Sequence, residues 1–198
     1  MLDGPDGCGK STQTQLLVKW LGENGIETAK FRDPGDTAIG EQIREILLNP
    51  EHLAMSTETE VLLYMAARTQ LWVEKIAPAL KENHCVIMDR WLSSTCAYQG
   101  WAGGFGIERI MQIAETALER IQPDLTIILD IKPADAAERM NRELDRMEAK
   151  GRQYHNKVRE GFMRLADSRK DICRVDASAQ IEEVHKDIVS KIKEHFNL

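Results

Sequence analysis

Short apolar runs along this chain alternate with longer segments in which apolar residues recur every three or four positions. The runs 85–88 (CVIM) and 125–129 (LTIIL) are nearly uninterrupted, which is typical of strands buried on both faces of a parallel sheet. Weaker strand signals cover 26–31 and 172–175, and residues 1–3 form a very short strand candidate. The pattern therefore predicts a mainly parallel sheet.

Segments with the helical period lie between these runs. They cover 12–23, 37–48, 57 to about 81, 107–121 and 180–196. Thr57 and Glu60 have the spacing of a capping box, which predicts that the long helix begins there. Because strands and helices alternate, we expect right-handed crossovers and a layered α/β fold.

Composition restricts the class of protein. A chain of 198 residues with 42% hydrophobic and 29% charged residues fits one globular domain, with or without a mobile insertion. The net charge of -6 argues against broad nucleic-acid binding, which needs a basic surface. A small anionic substrate is still compatible with this charge, because local arginines can form a positive pocket.

The cysteines and the apolar runs indicate a cellular location. Four cysteines lie far apart without a C-x-x-C pair, which favours free thiols in a reducing cytosol over disulfides or zinc. No apolar run approaches the roughly 18 residues of a membrane span, and the first residues lack the pattern of a signal peptide. We expect a cytoplasmic protein that binds neither membranes nor nucleic acid.

The stretch GPDGCGKST fits G-x-x-x-x-G-K-[ST], the sequence form of a loop that wraps a polyphosphate. Its glycines allow backbone N–H groups to converge on the anion, and the helix that follows adds the positive end of its dipole. Lys10 would reach the β- and γ-phosphates, and the Ser11 hydroxyl would ligate Mg²⁺. The predicted phosphate-binding residues are Gly4, Pro5, Asp6, Gly7, Cys8, Gly9, Lys10, Ser11 and Thr12. The sequence therefore predicts a nucleoside triphosphate site.

This loop normally follows a buried strand, yet only residues 1–3 precede it. Such a strand would have about half the usual 5–6 residues. We therefore expect that Met1 is an internal residue of the natural protein and that further residues precede it.

The loop alone does not identify the acceptor of the phosphoryl group. The N-K-x-D tetrapeptide of GTPases does not occur in the chain. A small kinase fits this length and needs a second anion site that faces the first. Arg32 and Arg90 each follow a predicted strand, and ligands of open α/β sheets bind beyond the carboxyl ends of the strands. Both guanidinium groups could therefore donate to one phosphate.

Several segments, in order along nearly the whole chain, resemble the motifs of thymidylate kinases. FRDPGDT is similar to F-x-R-E-P-G-G-T, with Asp33 and Asp36 at positions where the family has other residues. The other matching segments are LLYMAAR (62–68), DRW with ST and AYQG (89–100), ELDRME (143–148) and VDAS (175–178).

The resemblance implies a fold and an activity. The expected fold is a P-loop NTPase of the nucleoside monophosphate kinase type, with a central parallel five-stranded sheet flanked by helices. Residues 1–198 would form a single domain whose helical lid covers approximately 137–155. The enzyme would transfer the γ-phosphoryl group of ATP to dTMP with Mg²⁺ as cofactor, and it would act as a homodimer packed through helices.

The resemblance also assigns residues to the acceptor site. Arg32 and Arg90 would hold the monophosphate, and Asp6 would contact the sugar 3′-hydroxyl. Asp89 would hold Mg²⁺ through water. Tyr98 would lie under the sugar, where its bulk would reject a 2′-hydroxyl. The residues implied to bind dTMP are Asp6, Arg32, Tyr64, Arg68, Arg90, Thr95, Tyr98 and Gln99.

The base would be bound by residues from two segments. Tyr64 would stack its ring on thymine, and Arg68, one helical turn later, would donate to a thymine carbonyl. Thr95 and Gln99 would complete the hydrogen bonds. A core aromatic residue at position 64, and capping or surface roles at 95 and 99, are the alternatives.

Gly7 stands where some members of the family carry an arginine beside the transferred phosphate. Members with glycine resemble a bacterial type that supplies arginines from the lid, and one arginine can be worth 10³ to 10⁵ in rate. Arg139, Arg142 and Arg146 recur at intervals of three and four, as on one helix face. We assign the catalytic role to Arg142 and a structural role to Arg146. A salt-bridged surface face is the alternative. The predicted catalytic set is Lys10, Asp89, Arg90 and Arg142.

Two other functions are compatible with the sequence. Trp91, Asp33 and Asp36 depart from the commoner pattern, so a monophosphate kinase with another base preference is the first alternative. A nucleotide-binding regulator without turnover is the second. It would require a disabled catalytic group, whereas Lys10 and Arg90 are both present.

The base pocket leads to a prediction about dUMP. Thymine and uracil differ by one methyl group, and a methyl-sized difference is worth roughly 1–3 kcal/mol of discrimination. We therefore expect dUMP to be a poor substrate with measurable turnover, as judged from kcat/KM for both nucleotides. Comparable kcat/KM values for dTMP and dUMP would contradict this prediction.

Overall fold

The computed structural model describes residues 1–82, 84–119, 122–139 and 143–197. Within these residues five strands form one parallel sheet in the order β2-β3-β1-β4-β5. The strands are β1 (Leu2–Asp3), β2 (Thr28–Arg32), β3 (Cys85–Asp89), β4 (Thr126–Asp130) and β5 (Ile172–Asp176). The predicted parallel sheet is confirmed, and each apolar run of the sequence forms one of its strands.

Helices connect the strands, as the periodicity predicted. They are α1 (Lys10–Glu23), α2 (Ala38–Leu48), α3 (Thr57–Leu71), α4 (Ala77–Lys81), α5 (Leu92–Thr95), α6 (Ile107–Ala117), α7 (Pro133–Glu138), α8 (Arg152–Ser168) and α9 (Ile181–Phe196). The long helix predicted over 57–81 is continuous, but its central part, Trp72–Ile76, is π-helical. None of the helices in the described part of the chain has both the length and the apolar composition that would let it cross a bilayer.

The predicted capping box of α3 is wrong. Ser56 is the N-cap, and its hydroxyl accepts a hydrogen bond from the Thr59 amide at 3.2 Å. The Glu60 side chain is buried and accepts hydrogen bonds from Arg146 and Lys150. A long-range ion pair has therefore replaced the local cap that the spacing indicated.

The shortest strand occupies the centre of the sheet. Leu2 is in register with Asp89 on one side and with Ile127 on the other. The terminal amino group of Met1 donates to the Leu125 carbonyl at 2.7 Å. Because all the strands are parallel, their carboxyl ends meet at one edge, where α/β proteins bind ligands.

Helices cover both faces of this sheet. On one face α1 and α9 contribute Leu17, Leu21 and Ile188 to an apolar core with Ile127. On the opposite face α3, α6 and α8 contribute a second core that includes Val61, Ile110 and Phe162. The predicted layered α/β fold of a P-loop kinase type is thus confirmed, with the ligand-binding edge left open between the layers.

The described part of the predicted lid, 137–155, contains little regular helix. It includes the end of α7, a 3₁₀ turn at Glu148–Lys150 and the beginning of α8. The Asp145 carboxylate caps this turn by accepting from the amides of Met147 and Glu148 at 2.8 and 3.0 Å. Residues 143–147 are not helical, so Arg139 and Arg146 do not share the helix face predicted from their spacing.

The packing of α8 against the π-helical segment Cys96–Ala102 leads to a prediction of stability. A Cβ atom at Gly161 would lie 3.0 Å from both Ala97 Cα and Trp101 Cβ. We expect Gly161→Val to lower the free energy of unfolding by about 1–3 kcal/mol, because the added methyl groups overpack this contact. Urea unfolding of both proteins measures the difference.

Gly22, near the end of α1, provides a matched control. A Cβ atom there would meet nothing within 4 Å. Gly22→Val should therefore change the free energy of unfolding by less than about 0.5 kcal/mol. Equal effects at the two positions would contradict the packing argument.

Candidate active site

The loop between β1 and α1 requires glycine where it passes the sheet. Gly4 has φ +141°, and a Cβ atom there would lie 2.5 Å from the Leu129 carbonyl oxygen. Gly9, the N-cap of α1, has φ +94°. Both positions disfavour residues that carry a side chain. The predicted phosphate loop therefore has a backbone that only its glycines allow, and it places the N-terminus of α1 at the ligand edge.

Lys10 is the first residue of α1 and is buried. Its ammonium group donates to the carbonyls of Gly4 and Pro5 at 3.0 and 2.8 Å, so it lies inside the curve of the loop. Ser11 and Thr12 are exposed on the adjacent turn. The cation and the hydroxyl groups are therefore placed on the side of the loop that an anion would approach.

A crevice of about 780 Å³ opens in front of this loop. Loop residues from Asp6 to Thr12 line one side, and residues 177–181 line another. Asp89, at the carboxyl end of β3, shares this crevice with the exposed Ser11 hydroxyl. A carboxylate and a hydroxyl are the oxygen donors that Mg²⁺ prefers, so these residues fit the ion that the motif implies.

Arg32 ends β2 and lines the same crevice. Its Nη2 donates to Glu41 Oε1 at 2.7 Å, and its backbone amide donates to the Asp36 carboxylate at 2.6 Å. Asp36 has φ +59°, a conformation that aspartate tolerates better than most residues. The departure at position 36 is therefore compatible with the turn.

Arg90 occupies the centre of the site. Its Nη1 donates to the Gly4 carbonyl and to Ser94 Oγ, both at 2.9 Å, and its Nη2 contacts the Asp6 carboxylate. Burial alone would lower the pKa of Arg90, but the carboxylates of Asp6 and Asp3 raise it well above its usual value. The residue has φ +67°, a strained conformation of the kind that concentrates at functional sites.

Asp6 connects the phosphate loop to the segment that carries Tyr98. Tyr98 Oη donates to Asp6 Oδ2 at 2.6 Å, while Arg90 contacts the other carboxylate oxygen. Burial would raise the pKa of Asp6, but Arg90, Lys10 and the Tyr98 hydrogen bond hold it well below its usual range. Asp6 is therefore an ionised acceptor at neutral pH.

A smaller pocket of about 70 Å³ adjoins the crevice. Asp6, Arg44 and Arg90 line both cavities, so the crevice at the phosphate loop and the pocket share a wall of three charged side chains. The predicted dTMP residues in the pocket are Asp6, Tyr64, Arg68, Arg90, Thr95, Tyr98 and Gln99. Arg32 is the exception, since it lines the crevice.

Arg68 is 1% exposed and is held from several sides. Its Nε and Nη2 both donate to Asp33 Oδ2, at 2.7 and 2.5 Å, and Nη2 also contacts Thr95 Oγ1 at 3.0 Å. Its guanidinium lies 5.2 Å from the ring centroid of Trp91. Two residues that depart from the family pattern, Asp33 and Trp91, therefore fix the orientation of this predicted base-binding arginine.

Tyr64 and Gln99 form other parts of the pocket wall. Burial and the charge of Glu60 raise the pKa of Tyr64, so its phenol is neutral. Gln99 Nε2 donates to Glu60 Oε2 at 2.9 Å. Thr95 accepts from Arg68, which makes it a support for that arginine within the pocket.

Sequence reasoning placed neither Arg44 nor Glu60 at the site, and it assigned Glu60 to a helix cap. Arg44, on α2, lines both cavities and donates to the Pro34 carbonyl at 3.0 Å. Its burial and the nearby Arg32 lower its pKa. One arginine on an amphipathic helix gives no sequence signal of its own, because its neighbours come from other elements.

The lid arginines differ in their positions. Arg139 lines the crevice and donates to the Ala177 carbonyl at 2.9 Å. Arg146 is buried and donates to the Leu47 carbonyl and to Glu60, at 2.8 and 2.5 Å, which agrees with the structural role assigned to it. Arg142, the predicted catalytic arginine, lies outside the described residues.

The chain is similar to known proteins over nearly its whole length. The family model described as thymidylate kinase matches residues 2–188. A thymidylate kinase of Clostridium novyi (strain NT) is 40% identical over 197 residues, covering 97% of this chain and 96% of the relative. A thymidylate kinase of Symbiobacterium thermophilum is 45% identical over 194 residues, covering 97% of this chain and 91% of the relative.

The buried pair of Arg68 and Asp33 leads to a second prediction of stability. Burial raises the pKa of Asp33, and Arg68 opposes that rise through charge and hydrogen bonding. Asp33→Asn would leave the guanidinium without its counter-charge. We expect the free energy of unfolding to fall by about 3 kcal/mol, the usual cost of breaking a buried ion pair.

Glu160→Gln is the control, because Glu160 forms an exposed ion pair with Arg164. Its effect in the same urea experiment should be within about 1 kcal/mol. If Asp33→Asn cost no more than this control, Asp33 would not be the ionised partner of Arg68.

Proposed function

The chain belongs to the thymidylate kinase family, and we propose that it transfers the γ-phosphoryl group of ATP to dTMP, giving dTDP and ADP. The observation that carries this proposal is the junction of two cavities. A crevice in front of a phosphate loop adjoins a pocket with aromatic and hydrogen-bonding walls, and Asp6, Arg44 and Arg90 line both. Such a space suits a donor and an acceptor nucleotide placed end to end.

The triphosphate of ATP would bind at residues 4–12. The N-terminus of α1 and the backbone amides of the loop supply donors, and Lys10 supplies a cation within the loop. Ser11 would hold Mg²⁺ directly and Asp89 through water. When bound, the ion neutralises charge on the β- and γ-phosphate oxygens.

The monophosphate of dTMP would lie at the junction, close to Arg90, Arg44 and Arg32. The arginines orient its oxygen towards the γ-phosphorus and offset the repulsion between two anions. Little acid–base catalysis is required, because the attacking phosphate is already ionised at neutral pH. Closure over the crevice would exclude water and so prevent hydrolysis of ATP.

The pocket would select the nucleoside. We assign stacking on thymine to Tyr64, and hydrogen bonds to the base to Arg68 and Gln99, with Thr95 supporting Arg68. Tyr98 is fixed by its hydrogen bond to Asp6, which supports its proposed role against a 2′-hydroxyl.

Charge that develops on the transferred group would be neutralised from the lid. Gly7 has no side chain to do this, so we propose Arg142 for the role. Arg139, which lines the crevice, supports a contribution of arginine from this side of the site.

We also propose a cytoplasmic homodimer. Four cysteines without a C-x-x-C pair are typical of a protein in a reducing compartment, which supports this location. Leu62 and Val73, on the helical segment 57–81, expose large apolar side chains, which supports a helical dimer surface.

An ADP-release assay with ATP and Mg²⁺ tests the reaction, with dTMP, dCMP, dGMP, UMP and AMP offered separately. We expect strong turnover with dTMP. Preferred turnover of another monophosphate would still support a kinase, but it would contradict the assignment of the pocket to thymine. If the protein binds ATP but shows only trace turnover with every acceptor, the proposed enzymatic activity is wrong and a nucleotide-binding regulator is favoured.

Lys10→Met tests the loop. Removing a preorganised cation from the transferred phosphate should lower kcat by about 10²–10³. Lys19→Met is the control, because Lys19 lies exposed on the same helix and pairs with Glu23. Loss of activity in both variants, or in neither, would contradict the role of Lys10.

A further inference from the structure

Glu60 is a buried carboxylate directly behind the base pocket. It is 1% exposed, yet no part of the proposed chemistry uses it. Its Oε1 accepts hydrogen bonds from Arg146 Nη1 at 2.5 Å and Lys150 Nζ at 2.8 Å, and its Oε2 accepts one from Gln99 Nε2 at 2.9 Å. Glu60 therefore joins two cations of the predicted lid, Arg146 and Lys150, to one residue of the pocket wall.

The two cations keep Glu60 ionised. Burial would raise the pKa of Glu60, but the hydrogen bonds from Lys150, Arg146 and Gln99 lower it below its ordinary value. An ionised carboxylate accepts hydrogen bonds and cannot donate them. Whatever faces Oε2 must therefore present a donor.

This requirement fixes the amide of Gln99. A glutamine amide carries a donor nitrogen and an acceptor oxygen on opposite sides, and the two can exchange by rotation of the terminal torsion. With Nε2 held by Glu60, the acceptor Oε1 is the group that Gln99 can offer to a base in the pocket. Gln99 is 1% exposed, so an inverted amide would place an oxygen against a buried carboxylate.

Arg68 contributes a hydrogen-bond donor to the same pocket, whereas Gln99 contributes an acceptor. It is a donor in every protonation state reached in proteins, and Asp33 holds it in place. The pocket therefore offers a fixed donor at Arg68 and a fixed acceptor at Gln99.

We propose that Glu60 is a positioning residue that selects the base by holding the Gln99 amide with its oxygen towards the pocket. Thymine presents a carbonyl acceptor at O4 beside an N3–H donor, which matches this pair. Cytosine presents an amino donor at C4 beside an N3 acceptor. The amino group would therefore face the donor Arg68, and N3 would face the acceptor oxygen of Gln99. The inference rests on the proposed dTMP kinase activity and extends it to the rejection of cytosine nucleotides.

Glu60→Gln tests this inference. The variant amide can accept as well as donate, so Gln99 becomes free to invert. We expect the ratio of kcat/KM for dTMP over dCMP to fall by about tenfold or more. The reason is that an inverted Gln99 amide can pair with cytosine, so dCMP no longer leaves a buried polar group unpaired. Turnover of dTMP by the unaltered enzyme tests the proposed function separately.

Uracil provides an internal control. dUMP carries the same N3–H and O4 groups as dTMP and differs only in the methyl group. The ratio of kcat/KM for dTMP over dUMP should therefore change by less than about twofold in Glu60→Gln, since no hydrogen bond differs between the two bases. An equal fall in both ratios would show a loosened pocket and overturn the proposal.

Two further variants test whether Glu60 acts on base selection through the Gln99 amide. In a Gln99→Leu background, Glu60→Gln should have no additional effect on the dTMP over dCMP ratio, because the amide through which it acts is absent. Lys150→Met removes one of the two cations but leaves Gln99 and the Arg146 ion pair, which is enough to keep Glu60 charged, so the ratio should not change. A full effect of Glu60→Gln in the Gln99→Leu background would contradict the proposal.

A measurement on the unaltered protein covers the case in which Glu60→Gln does not fold. The imino proton of bound dTMP, observed by NMR, should exchange slowly with water and shift downfield, and Gln99→Leu should remove both effects. Exchange at the rate of free dTMP in the unaltered protein would overturn the proposal.

Discussion

The guanidinium group of Arg90 lies where the phosphate loop, β3 and the segment that carries Tyr98 meet. Its donors reach Gly4, Asp6 and Ser94, so one side chain spans the phosphate crevice and the base pocket. A buried cation is tolerated only when charges and hydrogen bonds compensate for its lost hydration. Asp3 and Asp6 provide this compensation, so the charged side chain stays between the two proposed substrate sites.

Two other buried arginines repeat this arrangement around the pocket. Arg68 is held by Asp33, and Arg146 by Glu60. Each pair joins elements that are distant in sequence, and each orients a polar group that faces the pocket or supports one that does. Apolar packing would hold these elements together equally well, but it could not specify the positions of donors and acceptors.

The sequence predicted the features that depend on local rules. The glycines of the phosphate loop, the apolar runs of the parallel strands and the helical periods are each readable from neighbouring residues. Glu60 shows where local rules end, because its spacing from Thr57 indicated a cap while Arg146 and Lys150, far along the chain, determine its role. Arg44 was missed for the same reason. The dTMP residues came from the resemblance to a family, and the pocket places most of them together.

We propose that the crevice and the pocket together form one site for two nucleotides. Calorimetric titration with adenosine and thymidine joined through their 5′ positions by a pentaphosphate tests it most directly. We expect one molecule to bind per chain, and we expect saturating ATP and saturating dTMP each to displace it. Displacement by only one nucleotide, or binding of two molecules per chain, would contradict a shared site.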